Sequence, residues 1–248
     1  MARTGKRRRR AKLRRTQLLV VGLVVAFVVA AGSAYLLFGM GGQSVGGTKG
    51  KPIILYVNQG NGIVNGSGFG VMLDFVAANG FNTIFFQVYR EGNLLFSPVT
   101  LQSFVNQTHQ AGLKIFFALY ITNATQALPT SIFGLHEDGV SLDMSTIDTN
   151  AQQMFLRELE SDFSGETAAT TLNMSSTLKP DLLILETYAP DDKKFIEPGI
   201  IASVEAVAVS NATEYASEFQ YALQNSDGVM VFDYAGLLKT GYYATPAA

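Results

Sequence analysis

The sequence predicts an α/β protein: a compact or incomplete (β/α)8 barrel of the TIM type, preceded by one N-terminal transmembrane helix. Three observations carry this. Short apolar runs rich in β-branched and aromatic residues alternate with amphipathic segments. Polar and acidic residues collect where those runs end. One uncharged apolar stretch of 23 residues stands behind a basic N-terminus.

The chain divides by charge. Residues 1–50 carry ten Lys/Arg and no Asp/Glu, whereas residues 51–248 carry eight Lys/Arg against all twenty Asp/Glu, a net −12. Residues 1–17 form a basic segment, with nine basic side chains between Arg3 and Arg15. Residues 18–40 follow as the transmembrane helix. At a rise of about 1.5 Å per residue they span about 34 Å, enough to cross a bilayer core of roughly 30 Å. The basic run before the span places the N-terminus in the cytoplasm and residues 52–248 outside the cell. A nucleic-acid role for the basic run is set aside because it adjoins an apolar span. A cleaved signal peptide is the rival reading, with Ala30–Ala34 as the cleavable cluster. Arg14-Arg15 matches a twin-arginine signal poorly, because Gln17 stands where a hydrophobic residue belongs. Residues 41–51 are a Gly-rich linker.

The outer segment, 52–248, has no internal repeat. The expected strands are 52–58, 82–89, 114–121, 140–144, 181–188, 204–210 and 229–234, each too short for a buried helix. Helical spacing is expected over 70–78, 100–111, 151–163 and 214–223. A barrel usually takes about 250 residues, so this one must be compact or incomplete. An open doubly wound sheet is the second architecture. The stretch 122–180 is the least readable.

Composition removes several chemistries. There is no Cys, so no disulfide, thiolate metal site or Cys nucleophile exists. The two histidines, His109 and His136, exclude a His-rich metal site. No metal ligand set and no cofactor motif is expected. The Gly-rich stretch 60–70 matches neither a Walker A loop nor GxGxxG.

Function in either architecture gathers at the carboxyl ends of the strands. There the sequence offers Asn58, Gln87, Tyr89, Arg90, Tyr120, Glu186, Tyr188, Asp233 and Tyr234. A period of two puts Gln87 with Tyr89, Glu186 with Tyr188, and Asp233 with Val229 and Val231. Facing inward, these would set Glu186 and Asp233 among phenols and an amide. Two carboxylates, one protonated and one ionised, are the minimum for glycoside hydrolysis. Glu186, in an apolar run, is the candidate acid and Asp233 the candidate anion; the others would bind substrate. The competing reading makes each carboxylate a helix cap or loop anchor. Five sequons, at Asn65, Asn106, Asn123, Asn173 and Asn211, are expected glycosylation sites and fit an external domain.

Residues 81–96 (FNTIFFQVYREGNLLF) and 108–119 (THQAGLKIFFAL) resemble the second and third βα units of glycoside-hydrolase-like (β/α)8 barrel proteins. Residues 139–157 resemble the Leu-Asp segment of that family, and 227–234 a late barrel strand. The resemblance implies a barrel acting on polysaccharide, with Gln87, Arg90, Glu186 and Asp233 at matching positions. Thr108-His109 replaces the usual Ala-His, and no Trp is present to stack on a sugar. The expected protein is thus a membrane-anchored glycosidase whose partners are lipid, through residues 18–40, and cell-surface polysaccharide, with no nucleic acid. The alternative is a catalytically silent surface-binding or envelope-structure barrel. A cation-binding adhesion domain is the third class.

Overall fold

The computed structural model describes residues 50–58, 66–173, 176–188 and 190–242. The expected transmembrane helix, the basic segment, almost all of the linker and Asn65 lie outside them. Among the described residues, no helix is long and apolar enough to cross a membrane.

Eight parallel strands close into a barrel. In chain order they are β1 (Ile53–Val57), β2 (Thr83–Arg90), β4 (Lys114–Tyr120), β5 (Gly139–Asp143), β6 (Glu166–Thr171), β7 (Leu182–Glu186), β8 (Ile201–Glu205) and β9 (Gly228–Phe232). Each pairs with the next, and β1 pairs with both β2 and β9, which closes the ring. The two-residue β3 (Asn93–Leu94) turns back antiparallel on β2. Five α-helices lie among the described residues: α1 (Gly66–Ala78), α2 (Pro98–Gln110), α3 (Thr149–Asp162), α4 (Ala212–Asn225) and α5 (Tyr234–Thr240). The connections from β4 and β7 carry only 3-10 turns, at Thr130–Ile132 and Pro190–Phe195, and that from β6 carries no helix among its described residues. The barrel is therefore complete in strands and economical in helices. That is how it closes in a chain shorter than the usual length.

Local chemistry sets the helix starts. Ser97 caps α2 by accepting from Thr100 N–H, with Pro98 next in the chain. Asp148 caps α3 through the N–H groups of Asn150 and Ala151. Asn211 caps α4 through Glu214 N–H. Lys51 Nζ closes the other end of α4, donating to Leu223 and Ser226 carbonyls at 2.8 and 2.7 Å.

Strand alternation divides the apolar side chains into two layers. Phe86, Phe117, Val140, Ala169 and Val231 point outward and pack under the helices. Ile54, Tyr56, Phe85, Phe116, Ala118, Ala168, Ile184, Ile201 and Met230 fill the barrel. Phe85 and Phe116 stack at 4.8 Å, and fully burying each is worth about 2 kcal/mol. Gly139 makes room for them: a Cβ there would lie 2.1 Å from the Phe116 ring and 2.6 Å from Glu166 O. Gly228 likewise lets β9 approach Pro52 and Ile201.

The sequence reading needs three corrections here. β6 (ETAATT) was not among the expected strands; its Ala and Thr side chains are buried but carry little apolar signal. β8 runs Ile201–Glu205, not 204–210, because inward Ser203 interrupts the apolar run that marks a strand. Finally, α5 follows β9 directly and was not anticipated.

Candidate functional site

The carboxyl ends of the strands carry the polar side chains. Residues paired across neighbouring parallel strands share a face, so the register identifies which point inward. One inward row runs Gln87, Ala118, Ser141, Ala168. The next row up runs Arg90, Tyr120, Asp143, Thr170, Ile184. Glu186 and Ser203 are paired above Ile184 and Ile201.

At the centre of this mouth is Asp143, only 6 % exposed. Tyr56 donates its hydroxyl proton to Asp143 Oδ2 at 3.1 Å from across the barrel. Gln87 in turn hydrogen-bonds Tyr56. Ser145 Oγ lies 3.2 Å from Asp143 Oδ1 and donates a hydrogen bond to Glu186 Oε1. Two hydrogen-bond lengths end to end hold Asp143 Oδ1 and Glu186 Oε1 within about 6 Å of each other. The two carboxyl groups share one hydroxyl.

Burial sets their proton affinity. Desolvation pushes Glu186 up to about 7; the Ser145 hydrogen bond opposes it, and the charges of Asp143 and Glu205 add to it. Desolvation also raises Asp143, against the hydrogen bonds from Tyr56 and Ser145. Asp143 thus has two hydroxyls favouring its charge and Glu186 has one. Tyr188 closes the same wall: Ser203 donates to its hydroxyl at 3.3 Å, and burial, then the charge of Glu186, hold its proton firmly in place. The ring lies 6.2 Å from Phe232.

The other expected residues divide. Asn58 lies half-buried at the end of β1, on the face of Tyr56. Arg90 and Tyr120 are paired on the inward face, and the guanidinium lies 5.5 Å from the Tyr120 ring centre. Tyr89 does not share a face with Gln87. The register slips between them, so Val88 and Tyr89 both join the outer layer, and Tyr89 donates to Ala127 O at 2.7 Å. Tyr234 also belongs to the outer layer, edge-on to Phe75 at 5.1 Å. Asp233 does not sit beside Glu186. Val229 and Val231 face outward, and Asp233 caps α5 by accepting from Gly236 N–H at 2.8 Å. Burial raises it, and its charge raises the neighbouring Glu205. His109 is at the far end of the barrel, 2.9 Å from Asp138, which precedes β5. Of the sequons, Asn106, Asn123 and Asn211 are exposed, whereas Asn173 is half-buried and its amide donates to Thr149.

Sequence reasoning missed Asp143, Ser145, Tyr56 and Glu205. The signal was present for Asp143 and Glu205, since each ends a strand. Tyr56 reads as a core aromatic one pleat below Asn58, and only the closed ring shows what it reaches.

No protein-family model matches the chain, and no curated protein sequence matches it. Solved structures do. CpGH84B matches with a TM-score of 0.53 at 8 % identity, covering 73 % of this chain and 44 % of that one. This chain therefore spans less than half of that protein's length. The GH18 chitinase ChiB of Flavobacterium johnsoniae gives 0.51 at 11 %, covering 80 % and 92 %. Tryptophan synthase from M. tuberculosis gives 0.51 at 13 %, covering 79 % and 92 %. Glycoside hydrolases are thus among the structural neighbours, and what they share with this chain at such identity is the barrel.

Proposed function

We propose that this chain is a membrane-anchored, externally placed glycoside hydrolase acting on polysaccharide through Asp143 and Glu186. One observation carries the reading: two carboxyl groups at the barrel mouth, within about 6 Å and joined through Ser145. The basic run followed by 23 uncharged apolar residues supports the anchor and its orientation. A GH18 chitinase shares the barrel that would hold the site.

The protons divide the roles. The Ser145 hydroxyl has one proton and faces two acceptors. A second proton, on the Glu186 oxygen turned away from Ser145, leaves that contact as it stands and is free for transfer. Glu186, half-buried and holding its proton near neutrality, then faces the glycosidic oxygen as general acid. Asp143, fixed by Tyr56 and Ser145, attacks the anomeric carbon as Glu186 protonates the leaving oxygen, and water deprotonated by Glu186 then displaces Asp143 from the glycosyl intermediate. A separation of about 5 Å belongs to hydrolysis with retention, roughly 6.5–9.5 Å to inversion. A bridge of one hydroxyl between the two groups supports retention. Asp233, the anion expected from sequence, lies beyond Glu205 and is committed to α5.

The test is reducing-end release by the full-length chain on a polysaccharide panel, beside Glu186→Gln and Asp143→Asn. Activity lost in both variants, with unchanged melting, supports the proposal. Silence of the wild type on every polysaccharide returns the protein to the surface-binding class.

A further inference from the structure

Four carboxylates form an arc along consecutive parts of the rim. Asp143 ends β5, Glu186 ends β7, Glu205 ends β8 and Asp233 follows β9. Each feels the next: Asp143 and Glu205 raise Glu186, and Asp233 raises Glu205. Among the described residues, none of the four makes an ion pair.

Five of the eight Lys and Arg side chains of residues 51–248 are engaged elsewhere. Lys51 holds the end of α4, and Lys114 pairs with Glu166 at the opposite end of the barrel. Lys193 pairs with Glu218, and Lys194 lies over Phe195. Arg90, across the mouth, pairs with Glu91 and covers Tyr120. The stretches 59–65, 174–175, 189 and 243–248 contain no Lys or Arg at all. Among the described residues, no Lys or Arg forms an ion pair with the arc.

A second observation points into the same place. Thr170 is the strand neighbour of Asp143 on the inward face, is 1 % exposed, and its hydroxyl has no hydrogen-bond partner. Ser141, one pleat below Asp143 and fully buried, has an unpartnered hydroxyl as well. Ala118 and Ala168 flank Ser141 on the same inward row. A buried hydroxyl without a partner is costly, and a polar ligand group removes that cost.

We propose that the mouth is built for a cationic amino sugar: a polysaccharide whose ring amines are free and protonated, bound with an ammonium in the carboxylate arc and a ring hydroxyl reaching toward Thr170. This rests on the glycoside reading of the site and names its substrate class. An ammonium brings three donors and a charge to Asp143, Glu205 and Asp233, which only accept when ionised, while Glu186 keeps its proton for the reaction. A neutral sugar leaves those charges unpaired, and an acidic one adds to them, so both are disfavoured. A metal ion is a poorer occupant, because no group of three or more ligating side chains converges among the described residues.

The experiment is calorimetric titration of the full-length chain, in non-ionic detergent, with a glucosamine hexasaccharide, its fully N-acetylated counterpart and spermine. The free-amine sugar is expected to bind about tenfold more tightly than the N-acetylated one, and to weaken as salt is raised. Glu205→Gln and Asp233→Asn are expected to shrink that preference several-fold; Asn keeps the α5 cap, so the second variant removes charge alone. Equal or tighter binding of the N-acetylated sugar overturns the amino-sugar assignment and leaves the glycoside reading standing. Spermine binding without either sugar overturns both. No binding of any probe overturns the assignment too.

Discussion

The Tyr56 hydroxyl donates to Asp143 Oδ2 at 3.1 Å across the barrel interior, joining residues 87 positions apart. That bond exists only because β1 and β5 are fixed on facing walls of a closed ring. It orients Asp143 so that its second oxygen meets Ser145, and through Ser145 the Glu186 side chain. The fold thereby converts four scattered polar residues into one proton-sharing unit.

Replacing either end of that unit gives the largest functional effect. Glu186→Gln is expected to lower kcat about 10²–10⁴-fold, the usual worth of a general acid, with KM little changed. Steady-state reducing-end assays check this. Loss of binding alone would assign Glu186 to substrate contact instead.

Ser145→Ala tests the bridge. Its hydrogen bond lowers the proton affinity of both Glu186 and Asp143. Removing it is expected to move the Glu186 titration upward from about 7, read by carbon-13 NMR of the carboxyl carbons. An unmoved titration would mean that the hydroxyl touches both groups without coupling them.

Stability should fall as pH rises past the acidic range. Glu186 binds its proton more tightly in the folded chain, near 7, than at its ordinary value of 4.5. The folded state is thus favoured below about pH 4.5 and loses that advantage as pH climbs through 7. Asp143, raised in the same direction, adds to the slope. Thermal melts across this window should show Tm declining, and Glu186→Gln should flatten the decline.

Asp233 separates capping from charge. Asp233→Ala is expected to cost about 1 kcal/mol through loss of the α5 cap, and Asp233→Asn only a few tenths. Hydrolysis should survive in the Asn variant. Abolished hydrolysis with unchanged melting would restore Asp233 as the catalytic anion.

Gly139→Ala tests the barrel floor. The added Cβ meets the Phe116 ring at 2.1 Å and Glu166 O at 2.6 Å. Overpacking of this kind costs about 1–3 kcal/mol, readable as a lower midpoint in urea. Phe116→Leu in the same chain should recover part of it, since the backbone contact remains.

Much of this fold was legible in the residues themselves. Continuous apolar runs such as IILYV and TIFFQVYR can bury both faces only in a parallel sheet, and six of the eight barrel strands lie at or within two residues of where such runs stand. The exceptions share a cause. β6 is made of Ala and Thr, and β8 carries Ser203 inward, because the barrel interior must be narrow and partly polar there. Tyr89 was misplaced for another reason: period-two counting has no means of sensing one slipped residue. Glu186 was found because an acid stands out in LLILE. Asp143 was not, although it ends a strand in the same way, because its importance comes from Tyr56 and Ser145, and those contacts depend on closure.

The most direct test of the paired carboxylates is the anomeric configuration of the first product, followed by proton NMR during hydrolysis by the full-length chain. A bridge that holds the two oxygens within about 6 Å predicts net retention. Net inversion, which needs roughly 6.5–9.5 Å and a water between the two groups, would contradict the pairing of Asp143 with Glu186.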